Sequence, residues 1–411
     1  MKKPPAVFGP PALDPLVEAF TNKVVIFRFR GKDLSFRLSH ALFNSFDIDE
    51  GTRLLLKTIA QRIDLSRVHA AADIGCGIGV IGASIRAAAP HCGVLLQDRD
   101  ALAVAFAREN WQANRLGDPT VDCGLGFWHL EDHSFDLVAS NLPAKAGKPV
   151  LESFFRQALR CLAPGGTVAI VIVATLADLA RSSIERLGCA IQHQEITRDY
   201  CALHFSGDTT EPTAVGREDL EPYIRARAGF AQAGTRYELS TVYSLPDFDT
   251  VGYGLSLSME LLADCAGGKK ILVWNPGQGH LPVWLSTRQM RTREIAIASR
   301  DCLECEITRR NMAAIGRPLR AAVAVPAEAS LPEAFAGTSY DLLCAAPHPV
   351  PRAPWHRGLL ASSLVLLSPG GRLCVTATST EIHRFLEQAE GLSVVASLKH
   401  AGFRAIMLAR L

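Results

Sequence analysis

The chain has 411 residues, 48% of them hydrophobic, which is enough for two domains of ordinary size, each with its own core. Its formal net charge of +2 excludes a protein that binds polyanions over its whole surface, so contact with nucleic acid must come from local basic patches. The 11 cysteines lack the spacing of a zinc site or a disulfide framework, and no stretch is long and apolar enough for a signal peptide or a membrane span, so we expect reduced thiols in a cytoplasmic protein.

The sequence of the first part of the chain predicts an arm over residues 1 to 20, followed by a hairpin and a helix. Val24–Phe29 and Leu34–Arg37 are short runs on either side of Gly31-Lys32, and this arrangement predicts a small hairpin. A helical pattern follows over Arg53–Arg62.

Beyond Val68, apolar runs typical of buried strands alternate with helical stretches. The predicted elements are a strand at Val68–Ile74, a helix at Val80–Ala89, a strand at Gly93–Gln97, a helix at Ala101–Asn114, a strand at Phe135–Ser140, a helix at Leu151–Leu162 and a strand at Thr167–Val173. A last helix at Ser182–Leu187 and a hairpin within Ala190–His204 complete the series. Strands separated by helices imply right-handed crossovers, so we expect an α/β fold with a mostly parallel, doubly wound sheet.

Asp73 directly precedes a turn of alternating glycines, Gly75, Gly77 and Gly79, between a strand and a helix. Glycines let a ligand approach the backbone and the helix N-terminus offers free N–H groups, so the turn predicts a nucleotide-like ligand. Gly77, Gly79 and Gly82 also satisfy the G-x-G-x-x-G pattern of NAD-binding proteins, and an NAD oxidoreductase is one alternative. Asp73 favours S-adenosylmethionine, because an acid here would repel a pyrophosphate but suits the ammonium of an amino acid.

Asp98 ends the second predicted strand, where a carboxylate can accept both ribose hydroxyls of a nucleoside. The alternative is a helix N-cap role beside Asp100. The small residues of Cys123–Gly126 leave room for an adenine ring, and a plain turn is an equal alternative. We expect the cofactor contacts to come from Asp73, Gly75, Cys76, Gly77, Gly79, Asp98, Arg99, Gly124, Leu125 and Asn141.

Ser140–Ala144 place an Asn-x-Pro turn directly after an apolar strand. Such a turn holds the Asn side-chain oxygen and the next carbonyl rigidly at the crevice, where they can accept hydrogen bonds from an exocyclic amine. We therefore predict Asn141, Leu142 and Pro143 as the catalytic segment that orients the methyl acceptor. The alternative is an Asn that only closes a turn.

The pattern repeats at an offset of roughly 200 residues, which indicates an internal duplication. Phe135–Val138 matches Tyr340–Leu343, and Leu162–Gly166 matches Leu367–Gly371. The second copy lacks the polar groups of the first, because Asp73, Gly75, Asp98 and the Asn141 loop correspond to Val273, Asn275, Ser299 and Ala346–Pro349. We expect a catalytic domain over 1–205, a linker over 206–234 with a short helix near Tyr223–Ala228, and a degenerate methyltransferase-like domain over 235–411.

The glycine turn, Asp98, Asn141–Lys148 and the upstream stretch from Phe43-Asn44-Ser45 through Gly51-Thr52 resemble the small-domain methyltransferase family, whose members include bacterial rRNA guanine-N2 methyltransferases. The resemblance covers Val24–Phe205 well and the second half more loosely. It implies tandem Rossmann-like class I methyltransferase domains, S-adenosylmethionine as methyl donor and the Asn141 loop as acceptor site.

Three features depart from the family pattern. Leu142 stands where the family usually has a first proline, and Ala144 stands where many amine methyltransferases place an aromatic ring. In tandem rRNA enzymes the decayed copy is usually the N-terminal one, whereas here it is C-terminal. The resemblance therefore supports cofactor and fold more firmly than substrate.

The leading hypothesis is an S-adenosylmethionine-dependent N-methyltransferase that acts on an exocyclic amine of a base in RNA. The resemblance implies that this RNA is ribosomal. The alternatives are methyl transfer to a protein side-chain amide or a small molecule, and a non-catalytic scaffold. We expect no metal and no membrane partner, and the oligomeric state stays open, with a monomer as one option. Basic residues that could contact RNA, or form solvated helix faces, are Lys145, Lys148, Arg156, Arg160, Arg288, Arg291, Arg293, Arg309, Arg310, Arg317 and Arg320.

Overall fold

The computed structural model describes residues 13–43, 45–207, 218–264, 268–288, 294–351, 353 and 355–410. Asn44, Arg291, Arg293, most of the predicted N-terminal arm and part of the predicted linker lie outside these residues. None of the helices formed by the described residues is long and apolar enough to cross a membrane.

A helix and a hairpin precede the first sheet, in the order α1 (Pro15–Phe20), β1 (Lys23–Phe29), β2 (Lys32–Leu38) and α2 (Glu50–Arg62). Arg30 and Gly31 form the turn with φ of 45° and 79°, the left-handed pair that matches the twist of a two-residue hairpin. The predicted hairpin and helix are therefore confirmed.

The first sheet follows as β3 (Ala70–Ile74), α3 (Val80–Ala88), β4 (Gly93–Asp98), α4 (Ala101–Ala113), β5 (Thr120–Cys123), β6 (Phe135–Asn141), α5 (Lys148–Cys161), β7 (Leu162–Val173), α6 (Ala177–Arg186), β8 (Ala190–Ile196) and β9 (Tyr200–Ser206). The strand order is β5-β4-β3-β6-β7-β9-β8, and the pairs from β5 to β7 are parallel while β9 runs antiparallel to its neighbours. Parallel strands with helices on both faces bury the sheet on both sides, which explains the near-continuous apolar runs. The chain runs outward from β3 through β4 to β5 and then returns to β6 on the other side of β3. The carboxyl ends of the strands at this switch point form the crevice of the domain.

The second unit repeats this arrangement as β10 (Ile224–Gln232), β11 (Thr235–Val242), α7 (Tyr253–Ala263), β12 (Lys270–Trp274), α8 (His280–Thr287), β13 (Glu294–Ser299), α9 (Cys302–Ala314), β14 (Ala321–Ala324), α10 (Leu331–Ala334), β15 (Tyr340–Ala345), α11 (Trp355–Leu366), β16 (Leu367–Thr378), α12 (Ser379–Leu386), β17 (Leu392–His400) and β18 (Phe403–Arg410). Its sheet has the order β14-β13-β12-β15-β16-β18-β17, the same topology as the first. The predicted fold class, two tandem Rossmann-like domains with mostly parallel sheets, is confirmed.

The predicted short helix near Tyr223–Ala228 is wrong. One turn of 3-10 helix covers Glu221–Tyr223, and the chain then enters β10, which pairs with β11 as β1 pairs with β2. Side chains on the inner face of β10 pack against the second unit, since the Phe230 ring lies 4.6 Å from that of the buried His280. This packing favours a strand here. The hairpin thus crosses the predicted boundary at 235, and the domain limits stay predictions.

The two units meet through equivalent segments, 98–100 after β4 and 299–301 after β13. Arg99 pairs with Asp301 at 3.3 Å, and Arg300 pairs with Asp100 at 2.8 Å. The backbone repeats the exchange, since the Ala101 N–H donates to the Arg300 carbonyl and the Cys302 N–H to the Arg99 carbonyl. This reciprocal pairing relates the halves by a local two-fold axis beside the predicted ribose-binding residue.

Candidate active site

The glycine turn between β3 and α3 is built as the sequence predicts. Gly75, Gly77 and Gly79 have φ of 71°, 54° and 86°, a region that favours glycine. A Cβ at Gly79 would also lie 3.2 Å from the Cβ of Ala107 on α4. Gly79 is the N-cap of α3 and has no side chain to accept from the first N–H groups of that helix, so the turn opens a helix N-terminus into the crevice.

Asp73 lies under this turn and is completely buried. Its Oδ2 accepts from the Gly82 N–H at 2.8 Å, so the carboxylate caps α3 from below. Its Oδ1 is buried with no hydrogen-bond partner among the described residues. Burial raises the pKa of Asp73 to about 7, with a smaller contribution from the nearby Asp98. A buried carboxyl with one unpaired oxygen and no adjacent cation is suited to receive a positive ligand group.

Asp98 ends β4 and faces the same turn. Its Oδ2 accepts from the Gly77 N–H at 2.8 Å and its Oδ1 from the Asp100 N–H at 2.9 Å. Burial raises its pKa to about 6 against the effect of these hydrogen bonds. The predicted alternative role as a helix N-cap belongs instead to Asp100, whose carboxylate accepts from the Leu102 N–H. Asp98 is therefore free to present its remaining lone pairs to a ligand.

The other predicted cofactor residues are placed around these two acids. The Cys76 N–H donates to the Gln97 carbonyl, and its buried thiol has a pKa well above its ordinary value because of that burial. Gly124 lies directly over the amide of Gln97, which is buried with neither its nitrogen nor its oxygen paired in the described residues. A side chain at 124 would collide with that amide, so glycine keeps this end of the crevice open.

Arg99 and Leu125 are engaged by the second unit. Arg99 forms the ion pair with Asp301, and the buried Leu125 packs in a small apolar cluster with Leu220, Val242 and Leu303. The second unit thus covers the loop after β5, where an adenine ring is predicted. The roles of both residues as cofactor contacts stay predictions.

Asn141 is the last residue of β6 and lies at the crevice. Ser140 is fixed by donating to the Ile74 carbonyl at 2.6 Å, and the Leu142 N–H donates to the Val171 carbonyl at 2.9 Å. The Leu142 side chain is buried in the core beside α5, whereas Pro143 is exposed. Leu142 therefore fills space beneath the turn, and the side chain that can meet a substrate here is that of Asn141.

Asp49 and Thr52, which the sequence did not single out as site residues, hold the Asn141 amide. The Asn141 Nδ2 donates to Asp49 Oδ2 at 2.8 Å and to Thr52 Oγ1 at 3.1 Å. The separation of about 90 residues hides this contact, although the Asp-x-x-Thr pattern before a helix does signal an N-cap. Both residues lie in the stretch from Phe43 to Thr52 that carries the family resemblance, which gave neither of them a role.

The second unit has replaced its ligand-binding groups by groups of its own. Val273 stands at the position of Asp73, and Asn275 takes the left-handed position of Gly75 with φ of 56°. The carboxylate of the buried Glu304 accepts from the Gly277 N–H at 3.1 Å and from the Ser299 hydroxyl at 2.8 Å. An internal side chain thus takes the hydrogen bond that Asp98 makes in the first unit.

A small cavity lies at the carboxyl ends of β12 and β13 in the second unit. Its volume is about 20 Å³, and its lining includes Trp274, Arg300, Glu328, His348 and Trp355. This volume holds about one water molecule, whereas nucleoside-sized ligands need pockets of roughly 300 Å³ or more. A wider pocket of about 850 Å³ adjoins this cavity and shares Glu328 and Trp355 with it, so the absence of a cofactor site from this copy stays a prediction.

Several of the basic residues proposed for RNA contact have structural partners instead. Arg160 is buried and bonds to Asp132, Gln157 and the carbonyls of Phe127 and Leu130. Arg288 donates to two backbone carbonyls, and Arg309 and Arg310 form ion pairs with glutamates. Exposed members of the set include Lys145, Lys148, Arg317 and Arg320. The described residues contain no cluster of His, Cys, Asp or Glu that could hold a metal ion.

The fold of the whole chain is similar to that of the 16S rRNA N2 G1207 methyltransferase of T. thermophilus, solved in complex with AdoMet and guanosine. The TM-score is 0.66 at 17% identity, and the match covers 96% of this chain and 100% of that one. The architecture is therefore that of two tandem Rossmann-like domains.

Sequence comparisons find higher identities over shorter stretches of the chain. Residues 33–191 match the model of the methyltransferase small domain family. The chain is 34% identical over 164 residues to the ribosomal RNA small subunit methyltransferase C of Actinobacillus pleuropneumoniae serotype 7, a match covering 39% of this chain and 49% of that protein. It is 36% identical over 141 residues to the ribosomal RNA large subunit methyltransferase G of Ectopseudomonas mendocina, covering 33% and 37%. The chain thus spans about half or less of the length of these curated relatives.

Proposed function

We propose that this protein is an S-adenosylmethionine-dependent N-methyltransferase that modifies an exocyclic amine of a base in ribosomal RNA in the cytoplasm. The first half carries the reaction, and the second half supports the site. The observation that carries the proposal is the convergence at one crevice of the glycine turn, two carboxylates and the Asn141 turn.

The residues at the crevice fit the parts of S-adenosylmethionine. Asp73 Oδ1 has no partner among the described residues and would accept from the ammonium. Asp98 would accept from the ribose hydroxyls, while the backbone at Gly75 and Gly77 leaves room for the amino acid part. When bound, the cofactor supplies an activated methyl group on a sulfonium. An NAD pyrophosphate would instead meet the negative charge of Asp73.

Asn141 would orient the acceptor. Its side-chain oxygen accepts a hydrogen bond from the exocyclic amine and keeps the nitrogen lone pair directed along the transfer line. Because the methyl donor is already activated, alignment supplies most of the lowering of the barrier, and the acceptor needs little help from a general base.

Aromatic rings for the base are available on the segment that precedes Asp49. Phe43 and Phe46 are 72% and 70% exposed, and Phe46 packs edge-on against His40 at 5.3 Å. Ala144 offers no ring of its own, so we assign the stacking of a flipped-out base to this exposed pair.

The second half would hold the acceptor loop in place. The Ser244 hydroxyl donates to the Lys145 carbonyl at 3.3 Å, and a Cβ at Gly147 would lie 3.2 Å from the Tyr243 ring. The names of the curated relatives, which are ribosomal RNA methyltransferases of either subunit, favour ribosomal RNA as the substrate.

The proposal is tested by offering labelled S-adenosylmethionine with total RNA, purified ribosomal subunits and cell protein as acceptors. We expect label in ribosomal RNA from the wild type and little from the Asp98→Asn variant. Label confined to protein or to small molecules would show that the substrate is not ribosomal RNA. If the protein binds the cofactor but no pool takes up label, the alternative of a non-catalytic scaffold would be favoured.

A further inference from the structure

The direction in which the Asn141 amide points is set by its two partners. Both bonds, to Asp49 Oδ2 and to Thr52 Oγ1, are made by the Asn141 nitrogen. An ionised carboxylate can only accept hydrogen bonds, so Asp49 selects the NH₂ edge of the planar amide. The carbonyl oxygen Oδ1 consequently lies on the opposite edge.

We propose that Asp49, assisted by Thr52, is a positioning residue that fixes the Asn141 amide with Oδ1 toward the methyl acceptor. This inference rests on the proposed function and names how its acceptor group is oriented. If the amide were turned over, its NH₂ group would face the amine of the base, and two donors would oppose each other. The wrong orientation would therefore misalign the nitrogen lone pair.

Asp49 is itself held in place by the helix that it starts. It is the N-cap of α2, and its Oδ1 accepts from the Thr52 N–H at 2.8 Å, which leaves Oδ2 for Asn141. The first turn of α2 is pressed against β9, because a Cβ at Gly51 would lie 2.9 Å from the Tyr200 ring. One carboxylate thus joins the start of α2 to the end of β6.

The second unit has lost both members of this pair together. Its α7 begins after Gly252, which has no side-chain cap bond, and Ala346 follows β15 at the position of Asn141. In the same unit the Glu304 carboxylate takes the hydrogen bond that Asp98 makes in the first unit. A purely structural cap would have no reason to disappear with the acceptor residue, which links Asp49 to the site rather than to the fold.

The Asp49→Asn variant isolates this role. Asn is as good an N-cap as Asp, so its side-chain oxygen can keep the Thr52 N–H bond, while its NH₂ group now faces Asn141 and forces that amide to turn over. We expect kcat to fall about tenfold or more with the cofactor affinity unchanged. Asp64→Asn is the matched control, because Asp64 also caps a short helical turn, over Leu65–Arg67, and its carboxylate bonds to Ser66 rather than to Asn141.

A reciprocal exchange makes the test sharper. Asn141→Asp alone sets two carboxylates against each other. In the Asp49→Asn background, by contrast, the carboxylate introduced at position 141 can accept from the new amide and still offer an acceptor to the amine. We expect Asn141→Asp to lower the rate in the wild type and to raise it in Asp49→Asn. An Asp49→Asn enzyme with wild-type kcat, or a double variant no faster than Asp49→Asn, would overturn the proposal.

A spectroscopic measurement separates this proposal from the proposed function. The side-chain ¹⁵N–¹H pair of Asn141, assigned by its loss in Asn141→Ala, should move in Asp49→Asn and stay in Asp64→Asn. If the wild type methylates nothing but the signals move as expected, the proposed function fails and the positioning role stands. If the signals do not move in Asp49→Asn, the positioning role is wrong whatever the activity.

Discussion

The pH dependence of cofactor affinity follows from the two carboxyls of the crevice. Burial raises the pKa of Asp73 to about 7 and that of Asp98 to about 6. Each must be ionised to accept from the ammonium or the ribose hydroxyls. For both groups the ionised fraction falls as the pH falls, so affinity should weaken between pH 8 and pH 6.

The size of the effect follows from the ionised fractions. With a pKa of about 7, the ionised fraction of Asp73 falls about tenfold from pH 8 to pH 6, which corresponds to about 1.4 kcal/mol of binding free energy. With a pKa of about 6, that of Asp98 falls about twofold over the same range. Together they lower the affinity by about twentyfold, and the fuller protonation of the cofactor ammonium at pH 6 offsets about two- to threefold of this loss.

Isothermal titration calorimetry of wild type and Asp73→Asn at both pH values measures this directly. The Asn oxygen can still accept from the Gly82 N–H, so the variant keeps the cap on α3 and puts an uncharged NH₂ group in place of Oδ1. The cofactor ammonium titrates near pH 7.7–8.0 as an α-amino group, and this contribution cancels between the two proteins. We expect weaker binding by Asp73→Asn at pH 8, and a loss of affinity from pH 8 to pH 6 that is about tenfold smaller than that of the wild type. A variant with the same steep pH dependence as the wild type would refute the assignment of Asp73.

Three further outcomes are expected. Calorimetry should give one cofactor per chain, and Asp98→Asn, which keeps an acceptor for the Gly77 N–H, should weaken binding by about 1–3 kcal/mol; a stoichiometry of two would show that the second copy also binds. Asn141→Ala should leave cofactor affinity nearly unchanged and lower the rate of single-turnover methylation about a hundredfold, a change of roughly 2–4 kcal/mol in the barrier. A wild-type rate in this variant would mean that Asn141 only closes the turn. The raised pKa of Asp73 means that its ionisation opposes folding above pH 7 by up to about 4 kcal/mol, and this cost disappears as the pH falls toward 3.8. Ligand-free Asp73→Asn should therefore melt at a higher temperature than the wild type at pH 8, with the difference shrinking by pH 5, and equal melting temperatures at pH 8 would contradict the buried charge.

The sequence predicted the elements and the topology well because both depend on local patterns. Alternating apolar runs and helical stretches placed β3, β4, β6 and β7 to within about five residues, whereas the short edge strand β5 was not predicted. The repeated Pro-Gly-Gly segments at 164–166 and 369–371 exposed the duplication. The error near Tyr223 arose because β10 has alternating small and basic residues, Ile224-Arg225-Ala226-Arg227, and gains its strand conformation from pairing with β11.

The site was predictable only where its residues follow strand ends directly. Asp73, Asp98 and Asn141 each end or nearly end a parallel strand, and such ends meet at one edge of a sheet. Asp49 reaches Asn141 from a helix on another part of the chain, and the contacts of Arg99 and Leu125 come from the second unit. These depend on packing between distant segments, which no local pattern records.

The most direct test of the central claim is to identify the nucleoside that receives the label. Ribosomal RNA methylated by the wild type from labelled S-adenosylmethionine would be digested to nucleosides and separated. An acceptor held by the Asn141 oxygen requires the methyl group on an exocyclic nitrogen of a base, with no such product from Asn141→Ala. Label on a ribose 2′-oxygen or on a ring carbon, formed equally by both proteins, would contradict the assignment of this crevice as an amine methyltransferase site.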